Sequence, residues 1–404
     1  MKNADIIIVG MQPWDIKIGS NCKCIANEFA ANNRVLYVNP PLTRGVRMRM
    51  RNDPTIQKRI RIIKDQEEGF TKEKENLWVL YPKMIAESIN WIPVNAVFDC
   101  LNRINNRRFA KEIRKAARRL GFKNYLIFND GLMFGGRYLK EYLRPDKCVY
   151  YLRDNFFEVQ YFVKHGGRIQ GEIMRDADLV VVNSPYLLKY AEQYNKRAFY
   201  VGQGGGTGSG AEYENAGVPG DLKPVKKPVI GYAGTLTALR LDIKLIAFIA
   251  KKRPEWSLVL VGPEDDSAFK NSELHAIKNI YFLGRKSPQE IQFYIKGFDV
   301  CINPQLVNPV TEANYPLKID EYLAAGKPVV AARTSTMTEI FSKYVCLAAG
   351  KEEFVLGIEK ALSGDNEEEA ARRRAFAATH TWAQVAAEIY RSIGEAENSD
   401  IDGC

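Results

Sequence analysis

Apolar positions along this chain fall in short continuous runs separated by longer amphipathic stretches. Ile6–Gly10, Val35–Val38, Leu77–Tyr81, Tyr125–Phe128, Cys148–Leu152 and Leu179–Val182 are each strand-length and rich in β-branched or aromatic residues. Between them, helical spacing predicts helices near 20–31, 104–120, 136–143, 168–176 and 185–193. The pattern breaks at Gly202-Gln203-Gly204-Gly205-Gly206-Thr207-Gly208-Ser209-Gly210, followed by Pro219, Pro224 and Pro228. It then restarts with strands at 229–233, 257–261, 279–283, 299–302, 328–331 and 345–347. The intervening helices are expected at 241–252, 266–276, 288–296, 317–325, 351–362, 366–377 and 381–394.

Uninterrupted apolar strands alternating with helices indicate parallel sheets covered on both faces. Two such series predict two doubly wound α/β domains facing across a cleft, and 404 residues is a length for at least two domains. The expected division is an N-terminal domain at 1–201, a Gly/Pro-rich flexible linker at 202–227 and a second domain at 228–377. The last helix, within 378–404, is expected to cross back to the first domain. Ligand sites in such folds lie at the carboxyl ends of the strands.

The charge is uneven. Of the net +10, residues 44–64 carry eight basic side chains against Asp53, and residues 103–119 carry eight against Glu112. The remainder of the chain is therefore slightly acidic. Two such patches suit anionic partners, a lipid surface or a lipid-linked diphosphate. Residues 84–101, with Ile85, Ile89, Trp91, Ile92, Val97, Phe98 and Leu101, precede the second patch and fit an interfacial contact. Neither run belongs to a nucleic-acid-binding signature. No apolar run approaches the ~20 residues of a membrane span, and the N-terminus runs directly into a strand-like segment. The expected location is cytoplasmic, peripheral on the inner face of the plasma membrane. Seven dispersed cysteines, with only Cys22 and Cys24 close together, make no zinc site.

The densest chemistry lies between Asn303 and Val330. Here a strand end leads through a polar loop into a helix that stops at Gly326 and returns at Pro328. Lys318 falls in the first helical turn, where free N–H groups and the helix dipole already favour an anion. Glu321 is three residues on, on the same face, and can accept two hydroxyl hydrogen bonds from a ribose. Upstream, Gly231-Tyr232-Ala233-Gly234-Thr235-Leu236 is a strand and glycine turn able to cradle a phosphate.

The run Asn308-x-x-Thr311-x-x-Asn314-x-Pro316-Leu317-Lys318-x-x-Glu321-Tyr322-Leu323-Ala324-Ala325-Gly326-Lys327-Pro328-Val329-Val330 resembles the nucleotide-sugar motif of bacterial glycosyltransferases. These are enzymes with two Rossmann-like domains (GT-B type, family-4-like), and the likeness is strongest to those of teichuronic acid and capsular polysaccharide synthesis. The resemblance implies that Lys318 contacts the donor diphosphate and Glu321 the ribose, with Thr311 and Asn314 in the same loop. It places Gly234, Thr235 and Arg240 at the phosphate turn. Gly262 and Arg285 fall in the next two strand–turn units, the second being where the base stacks. Met11–Asp15, Tyr37–Pro41 and the Arg-rich helix resemble the acceptor domain. Two departures stand out. Retaining relatives carry a second glutamate eight residues before Glu321, where this chain has Ala313, with Glu312 one residue off. The Gly204–Gly210 stretch also replaces a shorter turn and reads as unusual or engineered.

Sugar transfer needs a group that deprotonates the acceptor hydroxyl. Asp154, at a strand's carboxyl end, matches the family's acidic position; Asp15 in the first loop and His165 in Lys164-His165-Gly166-Gly167 are further candidates. No Asp-x-Asp motif is present, so the expectation is metal-independent transfer, without a cofactor, from a UDP- or GDP-linked sugar to a lipid-linked or oligosaccharide acceptor. The competing readings are a sugar-nucleotide epimerase and a non-catalytic nucleotide-sugar-binding partner in a polysaccharide assembly complex. An NAD-dependent oxidoreductase is disfavoured because no Gly-x-Gly-x-x-Gly follows Ile6–Gly10.

Overall fold

The computed structural model describes residues 1–16, 20–154, 161–205 and 217–401. It divides into two compact units, one of residues 1–202 with 385–404, the other of residues 203–384.

Among the described residues, the first unit carries the strands β1 (Asp5–Gly10), β2 (Arg34–Val38), β3 (Leu42–Thr43), β4 (Phe70–Lys74), β5 (Leu77–Leu80), β6 (Ile85–Ala86), β7 (Tyr125–Asp130), β8 (Lys147–Leu152), β9 (Leu179–Val182) and β10 (Ala198–Tyr200). Eight form one sheet in the order β10-β9-β8-β7-β1-β2-β5-β4, parallel except for β4 at the edge. The order reverses between β1 and β7, because β1 pairs with both β2 and β7. The apolar runs of β1, β2, β8 and β9 are buried along nearly their whole length, as expected of strands covered on two faces.

The long basic helix spans Asn95–Arg119, nine residues earlier than its sequence spacing suggests. Its buried face is Phe98, Asn102, Asn105, Asn106, Phe109, Ile113 and Ala116, a regular helical repeat. Three asparagines interrupt that stripe and conceal the first two turns. Two of them stitch loops: Asn105 brackets Glu87 through its backbone N–H and carbonyl, and Asn106 donates to Phe134 O and accepts from Tyr138 N, while Asn102 Oδ1 accepts from Asn106 Nδ2 one turn on. Two helices in the first basic patch, Arg44–Arg49 and Pro54–Ile63, also escape sequence periodicity. The second starts at a recognisable signal, Asp53 accepting from Thr55 N and Ile56 N ahead of Pro54.

The basic patches are less uniform than their sequence. Arg59 is mostly buried, 3.8 Å from Asp15, rather than on the surface. Arg44 pairs with Glu87, Arg61 with Glu67, Arg103 with Glu141 and Arg119 with Glu68. Within 84–101, Ile89, Ile92 and Phe98 are core, whereas Trp91, Val94 and Val97 are exposed.

The second unit carries β11 (Val229–Ala233), β12 (Ser257–Val261), β13 (Ile280–Gly284), β14 (Val300–Asn303), β15 (Val329–Ala332) and β16 (Cys346–Ala348). All are parallel, in the order β13-β12-β11-β14-β15-β16, with the reversal between β11 and β14. One face packs against Leu245, Ile249, Phe354 and Ile358, the other against Tyr294, Ile319, Tyr322 and Phe341. Where one helix is expected over 266–276, a short helix (Ser267–Lys270) and a 3₁₀ turn (Glu273–Ala276) are found, divided at Asn271-Ser272.

At the start of this unit the glycines are packed rather than free coil. A Cβ on Gly204 would lie 2.3 Å from the Trp382 ring, and Gly205 N donates to His380 O at 2.8 Å. Gly206–Gly210 of the proposed flexible stretch lie outside the described residues. Trp382 opens the last helix, Trp382–Ile401, and its residues from Val385 on belong to the first unit. There Tyr390 stacks on Phe29 at 5.1 Å and accepts from Asn33 Nδ2 at 2.9 Å.

Candidate functional site

In the second unit the reversal of strand order opens the sheet at its carboxyl edge. Strand β11 stays paired with β12 through Ala233, but its pairing with β14 ends at Gly231. Ala233 N–H, left without a strand partner on that side, donates instead to the Tyr322 hydroxyl at 2.8 Å. Tyr322 belongs to the helix Leu317–Ala324, so this bond fastens the helix to the fork.

The same helix brings Lys318 over the glycine turn. Its ammonium donates to the Tyr232 hydroxyl at 2.6 Å and lies 4.3 Å from the centre of that ring. A Cβ on Gly234 would stand 3.1 Å from Lys318 Nζ, and the residue holds φ at +145°, a conformation that favours glycine, so the backbone runs directly beneath the cation. Tyr232 in turn donates to Thr235 O at 3.2 Å. The helix N-terminus has no side-chain cap, since Pro316 occupies that position. An ammonium, uncapped helix N–H groups and a glycine turn thus converge at the fork, the arrangement that binds phosphate anions.

Glu321 lies one turn on. Burial pushes its carboxyl up to about 7; Lys318 acts against that shift and Asp320 adds to it. In the unfolded chain the group titrates near its ordinary value of about 4.3. Between those two values the folded protein binds the extra proton, so this residue's contribution to stability falls as pH rises towards 7. A Glu321→Gln variant should therefore gain in melting temperature over the parent at pH 8 and gain less at pH 5. Parallel melting curves at the two values would show that Glu321 titrates normally.

Asp320, beside it, points the other way. It is buried, accepts from the Tyr315 hydroxyl at 2.8 Å and meets His380 Nδ1 at 2.6 Å, with burial raising its carboxyl and His380 opposing. This pair holds the Leu317–Ala324 helix to the segment before Trp382.

The other expected donor residues are distributed around this centre. Gly262 is in close contact with it: a Cβ there would fall 1.9 Å from Gly234 O. Thr235, Arg240 and Arg285 are exposed, and neither guanidinium has an ion-pair partner among the described residues. Thr311 is buried, with its hydroxyl donating to Leu306 O at 2.5 Å, so it ties its own loop together. Asn314 is half-buried, with its N–H on Thr311 O. Ala313 is fully buried, and Glu312 accepts from Ser335 N at 2.7 Å. Two residues here escape sequence reasoning. Tyr232 looks like a core aromatic in a buried strand. Asn303 ends β14 at the fork, fully buried, with neither amide atom hydrogen-bonded among the described residues; its only signal is a polar residue closing an apolar run.

In the first unit each of the three acid–base candidates has its own neighbours. Asp15 stands by Arg59, where burial works against the guanidinium charge and Asp15 supports it. Asp154 pairs with Arg153 at 2.9 Å, and Arg153 is also held by Asp130, a fully buried carboxylate at the end of β7. Sequence reasoning missed Asp130 and Arg153, which lie 23 residues apart. His165 is buried elsewhere: Nε2 meets Ile92 O at 2.7 Å and the ring stacks on Phe98 at 3.9 Å, leaving Nδ1 unpartnered among the described residues. No cluster of metal-binding side chains occurs among the described residues, and none of their helices is long and apolar enough to cross a membrane.

Residues 219–378, which contain the fork, match the family described as glycosyl transferases group 1. A Bacillus subtilis protein named as a putative teichuronic acid biosynthesis glycosyltransferase, TuaH, is 32% identical over 174 residues, 41% of this chain and 43% of that protein. This match thus spans less than half the length of that relative. Two solved structures share the whole fold. Sucrose-phosphate synthase from Thermosynechococcus elongatus has a TM-score of 0.65 at 15% identity, covering 98% of this chain and all of that one. HepE of Anabaena, in complex with UDP and glucose, has a TM-score of 0.65 at 16% identity, covering 97% and all, respectively. Residues 219–378 of this chain thus resemble a group 1 glycosyl transferase domain, and the chain shares the GT-B fold, two Rossmann-like domains, with these solved structures.

Proposed function

We propose that this protein transfers a sugar from a nucleoside-diphosphate sugar, UDP- or GDP-linked, to a lipid-linked saccharide acceptor in the synthesis of a bacterial cell-surface polysaccharide. The observation that carries this reading is the fork between β11 and β14, where Lys318 lies over Gly234 with Glu321 one turn on. The diphosphate rests on the ammonium and the helix N-terminus, with Arg240 and Arg285 as outer cations, and the ribose hydroxyls meet Glu321. Charge developing on the leaving diphosphate is balanced by these groups, so transfer needs no metal ion. TuaH, a glycosyltransferase named for teichuronic acid synthesis, supports the polysaccharide assignment.

In the first unit, Asp154 serves the acceptor hydroxyl as base, oriented by Arg153 and Asp130, with Asp15 as the second candidate. His165 is a poorer base, because its one unpartnered nitrogen is buried and its ring is stacked on Phe98. The exposed Trp91, Val94 and Val97, next to a helix rich in arginine, support peripheral contact with the inner face of the membrane.

A thermal-shift panel of sugar nucleotides tests the donor half. A ligand at 100 times its Kd stabilises by about 2.7 kcal/mol, and the expected result is a rise of several degrees with one nucleotide class. A flat panel across UDP-, GDP-, ADP- and dTDP-linked sugars would remove the assignment. Donor stabilisation without transfer to any acceptor would favour the binding-partner alternative.

A further inference from the structure

The first unit contains a pocket of about 230 Å³ to which none of the donor residues contributes. A water molecule takes about 30 Å³ in the liquid, so the space suits a guest of several heavy atoms. Its wall is mainly apolar, with Met11, Ile89, Phe109, Leu132, Phe134 and Tyr161 prominent. Such a wall selects hydrocarbon over sugar, because a saccharide would bring hydroxyls that find too few partners there.

One polar group in the wall is left unsatisfied. Asn102 is 1% exposed; its Oδ1 accepts from Asn106 Nδ2 at 3.1 Å, while its Nδ2 has no partner among the described residues. A buried N–H donor without an acceptor is rare in folded proteins, and a guest carrying an oxygen at this point would satisfy it. The one charged residue lining the pocket among the described residues, Glu87, is neutralised by Arg44 at 2.7 Å, and further arginines follow on the adjoining helix. Thr43, which lines the pocket, leads into the Arg44–Arg49 helix, and Arg47 and Arg49 are exposed without a carboxylate partner among the described residues. The charge of Arg49 reaches Tyr161, opposing the upward push of burial on that hydroxyl. Exposed apolar groups lie on the same segments: Met48 and Met50 beside those arginines, Val163 beyond Tyr161, and Trp91, whose carbonyl accepts from Lys164 Nζ.

An apolar interior, an orphaned donor and arginines on the adjoining helix, unpaired among the described residues, complement an anionic amphiphile. We propose that this pocket receives the hydrocarbon chain of a lipid phosphate ester, with Asn102 Nδ2 donating to an oxygen of its head and Arg47 and Arg49 balancing the phosphate charge. Naming this lipid as the carrier of the sugar acceptor rests on the transferase reading above; the binding itself does not.

The test is calorimetric titration of the full chain with farnesyl phosphate, farnesol and inorganic phosphate, without donor. Farnesyl phosphate is expected to bind at least about 100-fold more tightly than inorganic phosphate. Ala86→Leu, which fills the pocket, should weaken farnesyl phosphate at least tenfold. Asn102→Leu should weaken it about tenfold and leave farnesol unchanged; Asn106 keeps Asn102 O and Phe134 O as acceptors in that variant. A diazirine-bearing farnesyl phosphate should label residues of this pocket in the unmodified protein, which tests the site even if a variant fails to fold. Absence of farnesyl phosphate binding, equal affinity for inorganic phosphate, or labelling confined to other surfaces would each overturn the proposal. Titrating the same samples with a sugar nucleotide separates the two readings: lipid binding without donor binding sinks only the transferase assignment, and the converse sinks only this one.

Discussion

Lys318→Ala is expected to weaken nucleotide-sugar binding by about 10- to 100-fold while leaving the melting temperature nearly unchanged. Hydrogen bonds to charged groups contribute about 1.5–3 kcal/mol, and each 1.4 kcal/mol is a tenfold change in affinity. The ammonium lies 2.6 Å from the Tyr232 hydroxyl and directly over Gly234, so a diphosphate in the fork cannot avoid it. Fold stability depends little on it, because Tyr232 retains its own bond to Thr235 O. Arg240→Ala and Arg285→Ala, which remove exposed cations, should cause smaller losses that shrink further in high salt. Lys318→Arg tests geometry as well as charge: the planar guanidinium does not reproduce a compact ammonium above a glycine, so only partial recovery is expected. Calorimetry with the nucleotide found in the thermal panel gives the answer. Unchanged affinity in Lys318→Ala would remove the fork as the donor site.

Gly262→Ala is expected to destabilise the second unit far more than the addition of one methyl group ordinarily does. The new Cβ would fall 1.9 Å from Gly234 O, and Gly262 holds φ at +152°, a backbone conformation open in practice only to glycine. Backbone strain of this kind costs about 1–3 kcal/mol, and overpacking costs about 1–3 kcal/mol more. The obstacle is a backbone carbonyl, which cannot swing aside as a side chain can. Gly121 provides the control: its φ is +71°, yet a Cβ there meets nothing within 4 Å, so Gly121→Ala should cost only about 1 kcal/mol. Urea unfolding of the two variants measures the difference, and equal midpoints would contradict the packing argument. Because the displaced carbonyl belongs to the glycine turn of the proposed donor site, Gly262→Ala should also weaken the nucleotide sugar in whatever fraction remains folded.

The two sheets were legible because buried parallel strands leave continuous apolar runs, and those of β1, β8, β12 and β14 are bounded by clear turn residues. The placement of Lys318 and Glu321 in the first turns of one helix was legible because the sequence marks a helix start there and spaces them three residues apart. What lay hidden had no local signature. Arg153 and Asp130 become partners only when β7 and β8 pair, and Tyr232 gains a role only when Lys318 arrives from 86 residues away. The first turns of the Asn95–Arg119 helix were obscured because its core stripe contains three asparagines, two of them polar for the sake of distant loops. Thr311 and Arg59 show the converse: both look like ligand or surface residues in sequence, and both are tied inward by neighbours.

The bond from Ala233 N–H to the Tyr322 hydroxyl has a consequence for reading activity screens. It replaces a rung missing from the sheet ladder, so Tyr322→Phe would strand a buried amide beside the phosphate turn and disturb turnover from beneath. A screen that scores only lost turnover would then credit Tyr322 with a chemical duty it never performs, since its oxygen serves the main chain alone. Comparing ligand-free unfolding of that variant with its residual rate separates scaffolding from chemistry.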